Sequence, residues 1–252
     1  MAPLAVLAAV TAPRAGVAAP STKMPEPLLE ETITDVDRDE PGELEIDALL
    51  AGVRDELGHR SWQTGVEVEW GVTSRLGLAA ESGTSRADAD DRSRFAGATF
   101  GASYAVLHDV ARDLHAQLEA GAHVFGDHDA VAHEPGDTQL PYGLALRGGW
   151  RRGWVTLRPA VGVSIGAPSP HLPLRAAVAL LGALPRAAGF CGVELGVDGG
   201  RATPLFVALD LLADPSSLGV PFRLGVALPW TPRTGVQPST FGVFLRAIAE
   251  ID

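Results

Sequence analysis

The stretch TGVEVEWGVTSRLGLAAES, Thr64 to Ser82, decides how the chain is read. Extended by two residues on its N-terminal side, it places Trp62, Thr64, Val66, Val68, Trp70 and Val72 on one parity and Gln63, Gly65, Glu67, Glu69 and Gly71 on the other. A strand sends alternate side chains to opposite faces, so this is a β-strand with one largely apolar and one polar face. Glu67 and Glu69 then lie about 6–7 Å apart on one face, a separation within range of a glycosidase carboxylate pair. Their side chains point in parallel, however, and cannot flank a substrate. They are expected to belong to an acidic wall.

The same period recurs along the chain. Leu44, Ile46 and Ala48 oppose Glu43, Glu45 and Asp47; Leu114, Ala116, Leu118 and Ala120 oppose His115, Gln117 and Glu119. Val155, Leu157, Val161 and Val163 oppose Thr156, Arg158, Gly162 and Ser164, and Cys191, Val193, Leu195 and Val197 oppose Glu194, Gly196 and Asp198. Phe222, Leu224, Val226, Leu228 and Trp230 oppose Arg223, Gly225 and Ala227. Such segments predict 12 strands beginning near residues 42, 62, 76, 95, 113, 140, 153, 172, 188, 203, 221 and 239.

Two further patterns give the strands a setting. The early connections alternate in length, DELGHRS, SGTSRADADDRSR and GDHDAVAHEPGDTQ being long and TSR, HDVARD and RRG short. Trp62 and Trp70, Tyr142 and Trp150, and Phe222 and Trp230 stand eight residues apart on the apolar faces of their strands. Eight residues span about 26 Å along a strand, or about 20 Å along the membrane normal at the usual tilt, close to the apolar band of roughly 25 Å in an outer-membrane barrel. The expected fold is all-β: one antiparallel transmembrane barrel of about 12 strands, with short turns on one side and longer loops on the other. The six aromatics are its expected membrane-interface residues.

The chain has 252 residues, 46% of them hydrophobic, and a net charge of −11, which excludes phosphate attraction as an organising force and with it a nucleic-acid partner. No apolar run reaches the 18 residues of a membrane helix; Ala176–Pro185, AAVALLGALP, is the longest and too short. Residues 1–19 are expected to be a signal peptide, 20–41 a flexible, acidic, exposed lead-in, and 42–252 the barrel. Cys191 is the sole cysteine and reads as a small apolar strand residue.

The segments ETITDVDRDEPGELEIDA (Glu31 to Ala48) and GVEVEWGVTSRLGLAAES (Gly65 to Ser82) resemble the start of a broad group of Gram-negative outer-membrane β-barrel proteins, transporter-like or porin-like. The resemblance implies fold and location rather than an activity. It departs at the C-terminus, which reads AEID where many such barrels end in phenylalanine.

Within such a barrel the polar faces turn inward. The expected lumen-lining residues are Glu43, Glu45, Asp47, Glu67, Glu69, Glu119, Glu194, Asp198, Asp210 and Glu250, the arginines Arg147, Arg151, Arg158, Arg175, Arg223 and Arg246, and His115 and His123. Ten acids against six arginines make a mixed-charge, net acidic lumen. The acids crowd the first strands and the arginines the sixth to eighth, so closure sets them across water, either as a transverse field or as cross-lumen ion pairs. The loop residues His128, Asp129, His133 and Glu134 have metal-binding chemistry but no established spacing, and Asp88–Asp91 lacks the ligand pattern of a calcium loop. Ser164 has no locally paired histidine to activate it. No catalytic, cofactor or metal site is therefore expected. The function that follows is an outer-membrane pore for small solutes, or a structural barrel, with the bilayer as partner; a soluble periplasmic or secreted binding barrel and an outer-membrane hydrolase are the alternatives.

Overall fold

A computed structural model describes Leu28 and residues 41–88, 93–124, 142–165, 174–184, 189–198, 205–214, 222–233 and 238–251. Within these residues twelve strands form one closed barrel: β1 (Leu44–Asp55), β2 (Arg60–Gly71), β3 (Leu76–Ala87), β4 (Arg94–Asp109), β5 (Leu114–Val124), β6 (Tyr142–Arg152), β7 (Val155–Ile165), β8 (Leu174–Ala183), β9 (Gly189–Asp198), β10 (Leu205–Ala213), β11 (Phe222–Thr231) and β12 (Thr240–Ile251). Each pairs antiparallel with its sequence neighbours, and β1 closes on β12 from Leu44↔Ile251 to Asp55↔Thr240. The all-β barrel read from alternation is the fold observed, with each strand starting within two residues of its expected place.

Local chemistry sets the turns. At the β2–β3 connection the Thr73 hydroxyl accepts hydrogen bonds from the backbone N–H groups of Arg75 (3.1 Å) and Leu76 (3.0 Å), folding the chain back within four residues. Between β4 and β5 a single 3-10 turn, Val110–Arg112, is capped by the Asp109 side chain and ends in left-handed Asp113. Gly153 and Trp154 suffice between β6 and β7. The stretch DELGHRS, expected to be a long loop, is instead a tight turn over residues 56–59. Asp55 and His59 bond through backbone and side chain, and Gly58 adopts φ +93°, which a side chain would disfavour. Register shifts at Gly83/Thr84 and Ala105/Leu107 add local bends.

The faces are inverted relative to a soluble barrel. Val66, Leu118, Leu144, Leu180, Leu209 and Leu245 are exposed on the outer surface, whereas Glu45, Asp47, Glu69, Gln117, Glu119, Arg158, Glu194 and Arg246 are buried. In a one-layered closed sheet a buried side chain points inward. Among the described residues more buried side chains are polar or charged than apolar. The exterior is thus suited to hydrocarbon and the interior to water.

A small apolar cluster nevertheless sits inside: Leu28, Ala179, Leu181, Phe190, Leu212, Ala227 and Ile248, with Phe244 against it. Residues 20–41 are expected to be exposed, yet Leu28 is only 5% exposed and packs on inward-facing side chains. The rest of residues 20–40 and the expected signal peptide lie outside the described residues.

Gly189 opens β9 at φ +120°, and a Cβ there would collide with the Leu212 carbonyl oxygen. Gly189→Ala should therefore lower stability by about 1–3 kcal/mol or more from backbone strain alone. Gly143→Ala, where a Cβ meets nothing within 4 Å, should leave it unchanged. Thermal conversion of the folded to the unfolded electrophoretic band in detergent measures both.

Candidate functional site: the charged barrel interior

Strand register builds the interior acidic group row by row. Glu45 on β1 lies opposite Glu250 on β12 and Glu69 on β2, so one row reads Glu250, Glu45, Glu69. The next inward row places Asp47 opposite Glu67, and Glu67 opposite Glu81 on β3. Ligand oxygens of Glu45, Asp47 and Glu69 come within 4.8 Å of one another, as do those of Glu43, Glu45 and Glu250. Like charges so close need countercharge.

Arginines from the far end of the sequence supply it. Arg223 on β11 donates from Nη2 to Glu45 Oε2 (3.0 Å) and Glu250 Oε1 (2.7 Å). Arg246 on β12 pairs with Asp47 and approaches Glu67 Oε2 at 4.0 Å. Asp47 and Arg246 are both almost fully buried, so each charge depends on the other for its solvation. The triplets of carboxylates thus have a metal-like geometry but are already tied to guanidinium groups.

A second polar group lies on β5 to β7. Arg147 Nε donates to Glu119 Oε2 (2.7 Å), and Gln117 Nε2 donates to Glu119 Oε1 (2.6 Å). Arg158 Nη1 lies 3.0 Å from His115 Nε2, and Arg151 Nη2 donates to Asp113 Oδ1 (2.7 Å). These contacts run along the wall between near-neighbour strands. Proximity explains it, since strands about 4.8 Å apart let an arginine reach a carboxylate without leaving the wall.

Of the remaining expected lining residues, Glu194 and Asp210 are buried beside the apolar cluster, and Arg175 is half-buried on β8 opposite Asp198. The side chains of His123, Asp198, Tyr142 and Ser164 lie outside the described residues, as does the loop holding His128, Asp129, His133 and Glu134. Trp62, Trp70, Trp150, Phe222 and Trp230 are exposed on the outer surface, where Phe95, Tyr104, Trp154 and Phe241 join them. Trp62, Phe95, Trp230 and Phe241 lie toward one end of the barrel, and Trp70, Tyr104, Trp150, Trp154 and Phe222 toward the end that holds Leu44 and Ile251.

Sequence reading missed the inward apolar residues Leu181, Phe190, Leu212 and Ile248. A signal exists for one strand: after Arg175, LRAAVALLGA on β8 is apolar on both parities, which a strand with water on its inner side does not need.

Comparison with solved structures places the geometry in a known class. The KdgM porin in complex with disordered oligogalacturonate superposes with a TM-score of 0.60 at 10% identity, over 82% of this chain and 99% of that one. The COG4313 outer membrane channel from Pseudomonas putida F1 gives 0.59 at 10% identity, over 84% and 96%. The fold is that of outer-membrane porins. NanC porin follows at 0.54 and 10% identity, over 81% of this chain and 98% of that one. No family model and no curated protein matches the sequence. At such identity the porin likeness concerns the fold alone; alternation and closure are shared, and the interior residues are this chain's own.

Arg246→Met should remove the guanidinium beside the buried Asp47 and destabilise the barrel by up to about 3–5 kcal/mol. Adding Asp47→Leu should restore part of the loss. A double variant no more stable than Arg246→Met alone, by the same electrophoretic conversion, would show that the pair does not act as a unit.

Proposed function

We propose that this chain is an outer-membrane channel of a Gram-negative bacterium that passes small hydrophilic solutes through a net acidic lumen, with no cofactor and no catalytic step. The observation that carries the reading is the combination of an apolar exterior bearing aromatics toward both ends with a buried array of acidic and basic side chains inside a closed sheet. Hydrocarbon outside requires every backbone group to be bonded within the barrel, and closure provides that. Twelve strands lie between the roughly eight whose interior side chains just fill and the roughly 16–18 that leave an aqueous channel, which supports a narrow hydrated interior. The aromatics then mark the two membrane interfaces, and the lining residues are the inward set from Glu43 to Glu250.

The sign of the lumen sets the preference. KdgM porin is seen with oligogalacturonate, a chain of anionic sugars. Here the rows Glu250, Glu45, Glu69 and Asp47, Glu67, Glu81 concentrate negative charge on one wall, with Arg223 and Arg246 offsetting part of it. Such a lumen favours cations and neutral solutes over polyanions.

Purified protein in a planar bilayer should conduct, with a reversal potential in a potassium chloride gradient of the sign for cation preference. Glu45→Gln with Glu69→Gln should move that potential toward zero. Silence at all voltages, or anion preference in the native chain, would sink the reading. Membrane embedding is tested separately by Leu209→Arg at mid-strand on the exterior of β10, which should cost about 2–4 kcal/mol in bilayers.

A further inference from the structure

Leu28 lies far ahead of β1 in sequence but inside the barrel in space. It packs with Leu181 of β8, Phe190 of β9, Leu212 of β10 and Ile248 of β12, all on strand faces turned inward. Gly225 on β11 supplies the recess, because a Cβ there would come within 2.8 Å of the Leu28 side chain. The Leu28 backbone lies beside the Asp210 carboxylate, and Glu194 is next to Asp210. Glu194 and Asp210 are 0% and 4% exposed. A branched aliphatic group with an N–H donor at its base therefore fills an apolar recess edged by two acids.

From this we infer that the recess is a ligand site within the barrel for a small aliphatic ammonium ion, and that Leu28 is its built-in occupant. An apolar patch on the inner wall of a water-filled barrel is unfavourable when wet, and Leu28 covers it. The two adjoining acids set the polarity of whatever replaces Leu28, since a cation carrying N–H donors finds acceptor oxygens there. The glycine and the four large apolar side chains set its size at roughly that of a leucine side chain. Leu28 then acts as a competing intramolecular ligand: while it is seated, an incoming alkylammonium ion has to displace it. The inference rests on a water-filled interior, as does the channel reading, but it concerns binding rather than conduction.

The test uses the full chain folded in detergent and isoamylammonium chloride as the probe, with potassium chloride at equal ionic strength as the blank. Leu28→Gly should empty the recess, lowering the temperature at which the folded electrophoretic band converts. Isoamylammonium should raise that temperature again, half-saturating at a concentration at least tenfold lower than for the native chain. In the Leu28→Gly background, Asp210→Asn should abolish the response, and Gly225→Val, which fills the recess, should do so as well. An equal response of the native chain and Leu28→Gly would overturn the proposal. So would a response that survives both added substitutions, or none in Leu28→Gly. A variant that fails to fold is replaced by Leu28→Ala, for which the same inequality is required. A chain that binds the probe this way yet is silent in bilayers would sink the channel reading and leave the site standing, and conduction without the response would do the reverse.

Discussion

The hydrogen-bonded seam between β1 and β12, twelve residue pairs from Leu44↔Ile251 to Asp55↔Thr240, is the constraint on which the other features depend. With it, no strand edge is left and every strand has two partners. In a hydrocarbon setting an open edge would leave backbone donors and acceptors without water or protein to bond, at a cost of several kcal/mol per group. Closure also fixes parity: once β1 is in register with both β2 and β12, Glu45 and Asp47 face inward and Leu44 and Ile46 outward. A slip of β1 by one residue would turn Glu45 and Asp47 toward the exterior.

The seam is also what makes the interior electrostatically tolerable. Arg223 and Glu45 are 178 residues apart in sequence, and Arg246 and Asp47 are 199 apart, yet they meet because the last two strands lie beside the first. Without that neighbourhood, the carboxylates of β1, β2 and β3 would face one another with little countercharge nearby. On the other side of the barrel, Glu119 with Arg147 joins adjoining strands and His115 with Arg158 reaches over one strand, from β5 to β7, so this network is more local in sequence. The charge pattern is therefore one acidic wall held by arginines from the chain's end, and one mixed wall balanced within itself.

Apolar residues inside such a barrel need a separate cause. Leu181, Phe190, Leu212 and Ile248 break the alternation on the inner face of the strands that carry them, and Leu28 is the group laid over them. The porins that share this fold do so at about one residue in ten, so the common element is the pattern of faces and the closure rather than any shared lining. What distinguishes one such barrel from another is the inner surface, where this chain combines an acidic wall with an apolar recess.

The sequence by itself determined the strands, their number and which face of each is apolar, because a period of two survives in any context and is written locally in stretches such as Gly65-Val66-Glu67-Val68-Glu69. On the same grounds it put Trp62, Trp70, Trp150, Phe222 and Trp230 on the outward face, although Phe95, Tyr104, Trp154 and Phe241 were overlooked for want of a partner eight residues away. It misjudged DELGHRS, since loop length was counted from polarity, while Asp55, Gly58 and His59 fold that stretch into a tight turn. Only the tertiary structure decided which charges meet. Ion pairing depends on which strands adjoin and on side chains that reach one or two strands along the wall, neither of which periodicity encodes. It alone placed Leu28 as well, because a residue outside the alternating pattern carries no face until something packs against it.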